Sequence, residues 1–62
     1  MKIIIVEDEK LAAERLKTLV KEYDSSIDVL ACLESVEETV QYLRHHAAPD
    51  LLLLDIHLSD GH

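Results

Sequence analysis

Three carboxylates in this chain stand where they can act together. Glu7 and Asp8 follow the apolar run Ile3-Ile4-Ile5-Val6, and Asp55 follows a second run, Leu51-Leu52-Leu53-Leu54. Two carboxylates about 4 Å apart repel by roughly 4 kcal/mol at an effective dielectric near 20. A site that gathers three of them therefore holds a cation or keeps a proton. Whether the three meet depends on the elements that carry them.

Four apolar residues in succession suit a strand buried on both faces, as in a parallel sheet covered by helices. Strands at Lys2–Val6 and Leu51–Leu54, adjacent and parallel, would deliver all three acids to the carboxyl edge of the sheet. That edge is where open α/β sheets bind ligands. Asp8 can cap the helix that follows, and Glu9 favours its positive dipole end. Leu11, Ala12, Leu16, Leu19, Val20 and Tyr23 recur at three- and four-residue spacing, which predicts an amphipathic helix over Glu9–Tyr23. Asp24-Ser25-Ser26 has turn composition. Ile27–Leu33 alternates with a polar residue on one face, as an edge strand does.

Ser35 and Glu38 form a capping-box pattern, and the helix they open carries Val36, Val40 and Leu43 on one side. Pro49 stops that helix and Asp50 leads into the leucine strand. The order is β-α-β-α-β. Right-handed crossovers and central strands 1 and 3 give the sheet order 2-1-3, the start of the flavodoxin-like order 2-1-3-4-5. The expected fold class is thus an α/β flavodoxin-like half-fold that ends before strands 4 and 5.

Composition excludes several function classes. The 62 residues make at most one small domain, residues 1–62. With thirteen acids, six Lys or Arg and a net charge of −7, the segment has no basic surface for nucleic acid. Lys10, Arg15, Lys17 and Lys21 share a helix with Glu9, Glu14 and Glu22, which a solvated face explains. No apolar run approaches the ~20 residues of a membrane span, and no signal-peptide pattern is present. Cys32 is the one cysteine, so a reducing, cytoplasmic setting is expected. It reads as a small core residue. Tyr23 and Tyr42 read as helix-edge packing, and His45-His46 as a solvated tail at a helix C-terminus.

At Lys2-Ile3-Ile4-Ile5-Val6-Glu7-Asp8-Glu9 and Pro49-Asp50-Leu51-Leu52-Leu53-Leu54-Asp55, with Asp60-Gly61 beyond, the chain resembles the amino-terminal half of a two-component response-regulator receiver domain. Leu58-Ser59-Asp60-Gly61 is similar to receivers joined to LytTR-type DNA-binding domains. The resemblance implies that Asp55 accepts a phosphoryl group from a sensor histidine kinase. It implies that Glu7, Asp8, Asp55 and the backbone carbonyl of His57 hold Mg²⁺. A DNA-binding output domain is implied in the full-length protein. The family also uses a Ser or Thr after strand 4 and a Lys after strand 5, and neither strand is in this sequence, so the 62 residues alone are expected to be inactive. Leu58-Ser59 stands where a Met-Pro pair is common, and Glu7 where Asp is commoner.

Other readings remain open on the residues. An aspartate-nucleophile phosphohydrolase would carry a second Asp two positions after Asp55, where His57 stands. A pseudo-receiver would act only through protein contacts, with its acids as relics, and each acid taken alone could simply cap a helix or turn. Asp55, His57 and His62 match no recurrent zinc spacing. Labelling with a phosphodonor separates the classes: turnover marks a hydrolase, a stable acyl phosphate a receiver, and no label an inert module. The leucine strand would be an exposed edge, so self-association through that edge or the sheet faces is expected.

Overall fold

The β-branched run at the amino terminus forms the centre of the sheet. In the computed structural model, which describes residues 1–55, β1 spans Lys2–Glu7 and Ile3, Ile4, Ile5 and Val6 are all fully buried. The order continues with α1 at Lys10–Tyr23, β2 at Asp28–Leu33, α2 at Val36–His45 and β3 at Leu51–Asp55. The three strands are parallel in the order β2-β1-β3, the flavodoxin-like half-sheet expected from the two apolar runs. Beyond residue 55 lie His57, the Leu58–Gly61 stretch and His62, so readings that rest on them fall outside the described residues.

Register follows from short anchors. β1 meets β3 without interruption, from Ile3 beside Leu51 to Glu7 beside Asp55. Against β2 the register shifts between Ile3 and Ile4, whose partners are Val29 and Ala31, so Leu30 is the extra residue of a bulge. Asp28 N–H donates to the Met1 carbonyl and Asp50 N–H to the Lys2 carbonyl, each at 2.8 Å, which fixes both outer strands to the start of β1. The turn before β2 is closed by Asp24, whose Oδ1 accepts from the Ser26 N–H at 3.0 Å and from its hydroxyl at 2.7 Å.

The crossovers from β1 to β2 and from β2 to β3 run in opposite directions across the sheet. If both are right-handed, the two helices lie on opposite faces. On the α1 face, Ile3, Ile5 and Ile27 form the core, joined by Leu16, Val20, Val29 and Leu53. The inner side of α1 is narrower than its apolar content suggests. Ala13 is its buried residue, while Leu11 is 77% exposed and Tyr23 87% exposed. The single apolar face read from the sequence is corrected at Leu11 and Leu19, and so is the helix-edge packing of Tyr23: apolar residues spread over more of the helix than the sheet covers, and Ala13 is the one that is buried.

The same correction applies to α2. Thr39 is its buried residue, and Val36, Val40 and Leu43 stand largely exposed beside the contact. Thr39 tolerates burial because its hydroxyl donates to the Ser35 carbonyl at 2.8 Å. The cap forms as the sequence predicts, with Glu38 N–H donating to Ser35 Oγ at 3.1 Å. Its reciprocal arm lands one residue early, since Glu38 Oε1 accepts from Glu34 N–H at 2.7 Å. At the other end Tyr42 and His46 stack with ring centroids 3.9 Å apart, and His46 Nδ1 lies 2.9 Å from the Tyr42 carbonyl oxygen. Cys32 is exposed on the edge strand rather than in the core, and Tyr23 projects into solvent.

Candidate functional site

Parallel pairing sets the site. Because β1 and β3 run together in a continuous register, their last residues, Glu7 and Asp55, are direct neighbours at the carboxyl edge. Asp8 follows Glu7 in the loop that leads to α1. Glu7 and Asp55 are therefore brought together as the two apolar runs imply, with Asp8 next in sequence.

The three acids occupy different environments. Glu7 is 4% exposed, whereas Asp8 and Asp55 are open to solvent. β1 runs one residue past the end expected from the apolar run, through Glu7. The sign available was the odd-even pattern: in a strand buried on both faces, the residue after Val6 faces the same covered side as Ile3 and Ile5. The Glu7 carboxylate has one backbone partner, Glu9 N–H, which donates to Oε2 at 2.9 Å.

That bond corrects the expected cap. Asp8 was the predicted capping residue, but α1 begins at Lys10 with Glu9 in the cap position, and the Glu9 side chain makes no capping bond. Glu7 instead reaches forward to the Glu9 N–H and steadies the loop entering the helix. A strand-end residue can do this because the chain turns sharply enough to bring Glu9 back over the edge.

The electrostatics follow from this crowding. The Glu9 N–H pulls the Glu7 carboxyl toward ionisation, but burial, the Asp8 carboxyl and the charges of Asp55 and Asp8 oppose it. The opposing effects win, and Glu7 holds its proton above the ordinary value of 4.5. A cation at this edge would relieve that repulsion. The donors are hard carboxylate oxygens, the chemistry that suits Mg²⁺ rather than zinc. Among the described residues no three His, Cys, Asp or Glu side chains already enclose a common metal position.

Comparison with known proteins identifies the arrangement. The chain is 43% identical over 60 residues to the sensory transduction protein LytT of Enterococcus faecalis, covering 97% of this chain and 24% of that protein. It is 35% identical to the protein of the same name in Bacillus cereus, again over 97% of this chain and 24% of the relative. The transcriptional regulatory protein YpdB of Escherichia coli is 36% identical over 94% of this chain and 23% of its own length. The chain thus spans about a quarter of the length of these relatives. No family model matches it. No solved structure matches it. No helix among the described residues is long and apolar enough to cross a membrane. The chain is thus similar to these regulators along nearly its whole length, and its parallel β2-β1-β3 sheet, which sets Glu7 beside Asp55, is that of a flavodoxin-like receiver half-fold.

Proposed function

We propose that Asp55 is the phosphoacceptor of this receiver and takes its phosphoryl group from a phosphohistidine of a sensor histidine kinase. The observation that carries the reading is the register that ends β1 and β3 on Glu7 and Asp55 side by side. An Asp55 carboxylate oxygen attacks phosphorus, the P–N bond breaks with its electron pair passing to the imidazole nitrogen, and an acyl phosphate remains on Asp55. Glu7, Asp8 and Asp55, with the His57 carbonyl that lies outside the described residues, would hold Mg²⁺. Once bound, that ion neutralises the charge that builds on the phosphoryl oxygens.

Each residue has a distinct part. Asp55, exposed at the strand end, is accessible to a donor. Glu7, fixed by the Glu9 N–H, is the rigid member of the acidic set. Asp8 supplies the second carboxylate from the loop. The described residues hold three strands, so the Ser or Thr and the Lys that the family places after a fourth and a fifth are not among them. Little stable phosphorylation is therefore expected of this chain alone, and ready labelling at Asp55 is expected in a longer protein that supplies them. The proposed partner is a kinase, and any DNA-binding activity belongs to an output domain rather than to this acidic segment.

Magnesium titration followed by amide NMR tests the site in this chain. Shifts centred on Glu7–Glu9 and on the stretch from Leu54 to His57, lost in Asp8→Asn, are expected. Binding at ten times the dissociation constant should add about 1.4 kcal/mol of stability. A melt and a spectrum unmoved by millimolar Mg²⁺ would refute the metal site. In a longer protein, equal labelling of wild type and Asp55→Asn by a small phosphodonor would refute the acceptor assignment.

A further inference from the structure

The leucine run that carries Asp55 has a weakness: it cannot index itself. Leu51, Leu52, Leu53 and Leu54 are identical, and β1 offers them Ile3, Ile4, Ile5 and Val6. A strand that slips by one residue still sets three of its four leucines beside Ile or Val of β1, and one that slips by two still sets two of them there. Register is weakly specified when neighbouring side chains do not differ in size or polarity. Yet the site depends on register, because only the observed pairing sets Asp55 beside Glu7.

From the structure we infer that Asp50 is the residue that indexes β3 against β1, and so is a positioning residue for Asp55. It grips the first residue of β1 twice. Its N–H donates to the Lys2 carbonyl at 2.8 Å, and its Oδ2 accepts from the Lys2 N–H at 2.8 Å. Backbone groups are common to every register, but the side-chain bond is not. It exists only when Asp50 stands next to Lys2, five residues before Asp55 stands next to Glu7.

The two acids that bracket the leucines reinforce the choice. Slipping β3 one residue toward the amino end of β1 would set Asp55 beside Val6, which is fully buried. Slipping it the other way would set Asp50 beside Ile3, also buried. Each slip takes a carboxylate off an exposed strand end and into the sheet, where an unpaired charge is strongly disfavoured. Asp55 contributes only this penalty, because its native neighbour Glu7 is another acid. Asp50 alone adds an attraction to the native register. Hydrogen bonds to a charged acceptor are strong enough to shift such an equilibrium roughly tenfold.

The inference rests on Asp55 being the phosphoacceptor, but its test does not need phosphorylation. Cross-strand NOEs between β1 and β3 read the register directly in Asp50→Ala, Asp50→Ser and Asp50→Asn. Asp50→Asn keeps a carbonyl oxygen at the same reach and is expected to hold the native register. Asp50→Ala is expected to show a second set of β1–β3 NOEs, with the apparent Mg²⁺ affinity lowered in proportion to the fraction of chains that leaves the native register. If Asp50→Ala does not fold, Asp50→Ser carries the test with the same expectation of a second register. Native NOEs alone in the folded variants would overturn the inference, whatever their stability, because a merely structural bond would lower the melt without moving the strand. If wild type binds no Mg²⁺, the metal site fails while the NOE result still decides the role of Asp50.

Discussion

Leu11 and Leu16 lie in one helix, and the same substitution at each asks which side of α1 faces the sheet. Leu16 packs against the Ile3–Ile5–Ile27 core, whereas Leu11 is 77% exposed. Leucine to alanine changes intrinsic helix propensity equally at both positions, so the difference reports burial. A fully buried leucine truncated to alanine costs about 2–5 kcal/mol, and a half-buried one about half of that, roughly 1–2 kcal/mol. An exposed leucine outside any special contact changes stability by less than about 0.5 kcal/mol. For a domain of this length total stability is roughly 3–9 kcal/mol, so Leu16→Ala removes a visible share. With a urea slope near ~1 kcal/mol/M, the midpoint should fall by about 1–2 M for Leu16→Ala and by under ~0.5 M for Leu11→Ala. Circular dichroism at 222 nm on both variants at one protein concentration gives the comparison. Equal shifts, or a larger shift for Leu11→Ala, would refute the orientation of α1 and with it the core.

Three further outcomes follow from the same structure. Glu7, whose pKa is raised from 4.5, stabilises the fold fully below that value and loses this contribution as pH rises through its folded pKa. Glu7→Gln, which keeps an acceptor for the Glu9 N–H, should therefore melt higher than wild type at neutral pH without metal, and the gap should close in acid. Ser35→Ala removes the acceptor of the Glu38 N–H and should cost about 1 kcal/mol, read by chemical denaturation; no change would mean that the cap is not formed in solution. The outer edge of β3, with Leu51 44% and Leu54 60% exposed, should draw copies of this chain together. Light scattering across the micromolar range should then show a symmetric dimer that Leu54→Lys weakens, and a monomer throughout would refute self-association.

Sequence reveals the sheet more readily than the helices because the two constraints differ in strength. Ile3–Val6 allows no amphipathic reading, so a strand covered on both faces is the one element that suits it, and the order of elements then leaves few topologies. In α1, by contrast, Leu11, Ala12, Ala13, Leu16, Leu19 and Val20 surround much of the helix. Periodicity identifies the helix but not which part of that broad surface touches the sheet. Ala13 is the residue that is buried, a choice that depends on how the helix packs and not on periodicity. The acids show the same division. Their positions at the ends of apolar runs mark Glu7, Asp8 and Asp55 as a set. The burial of Glu7 and its bond to Glu9 arise from the turn after β1, where tertiary geometry overrides the local preference for Asp8 as a cap. Asp50 is legible only as a strand entry, since its bond to Lys2 joins residues 48 positions apart.

Glu7 illustrates why such a site persists in so small a core. A neutral residue there would relieve repulsion from Asp8 and Asp55 and still accept the Glu9 N–H, so folding alone gives no reason for an acid. Proteins of marginal stability commonly keep destabilising groups where function requires them. Charge that is unfavourable in the free protein would become favourable if the proposed divalent cation occupied the edge. The same repulsion that raises the Glu7 pKa would then supply part of the driving force for metal association. Stability and metal response should therefore move in opposite directions in Glu7→Gln, which is the behaviour of a binding site and not of a helix cap.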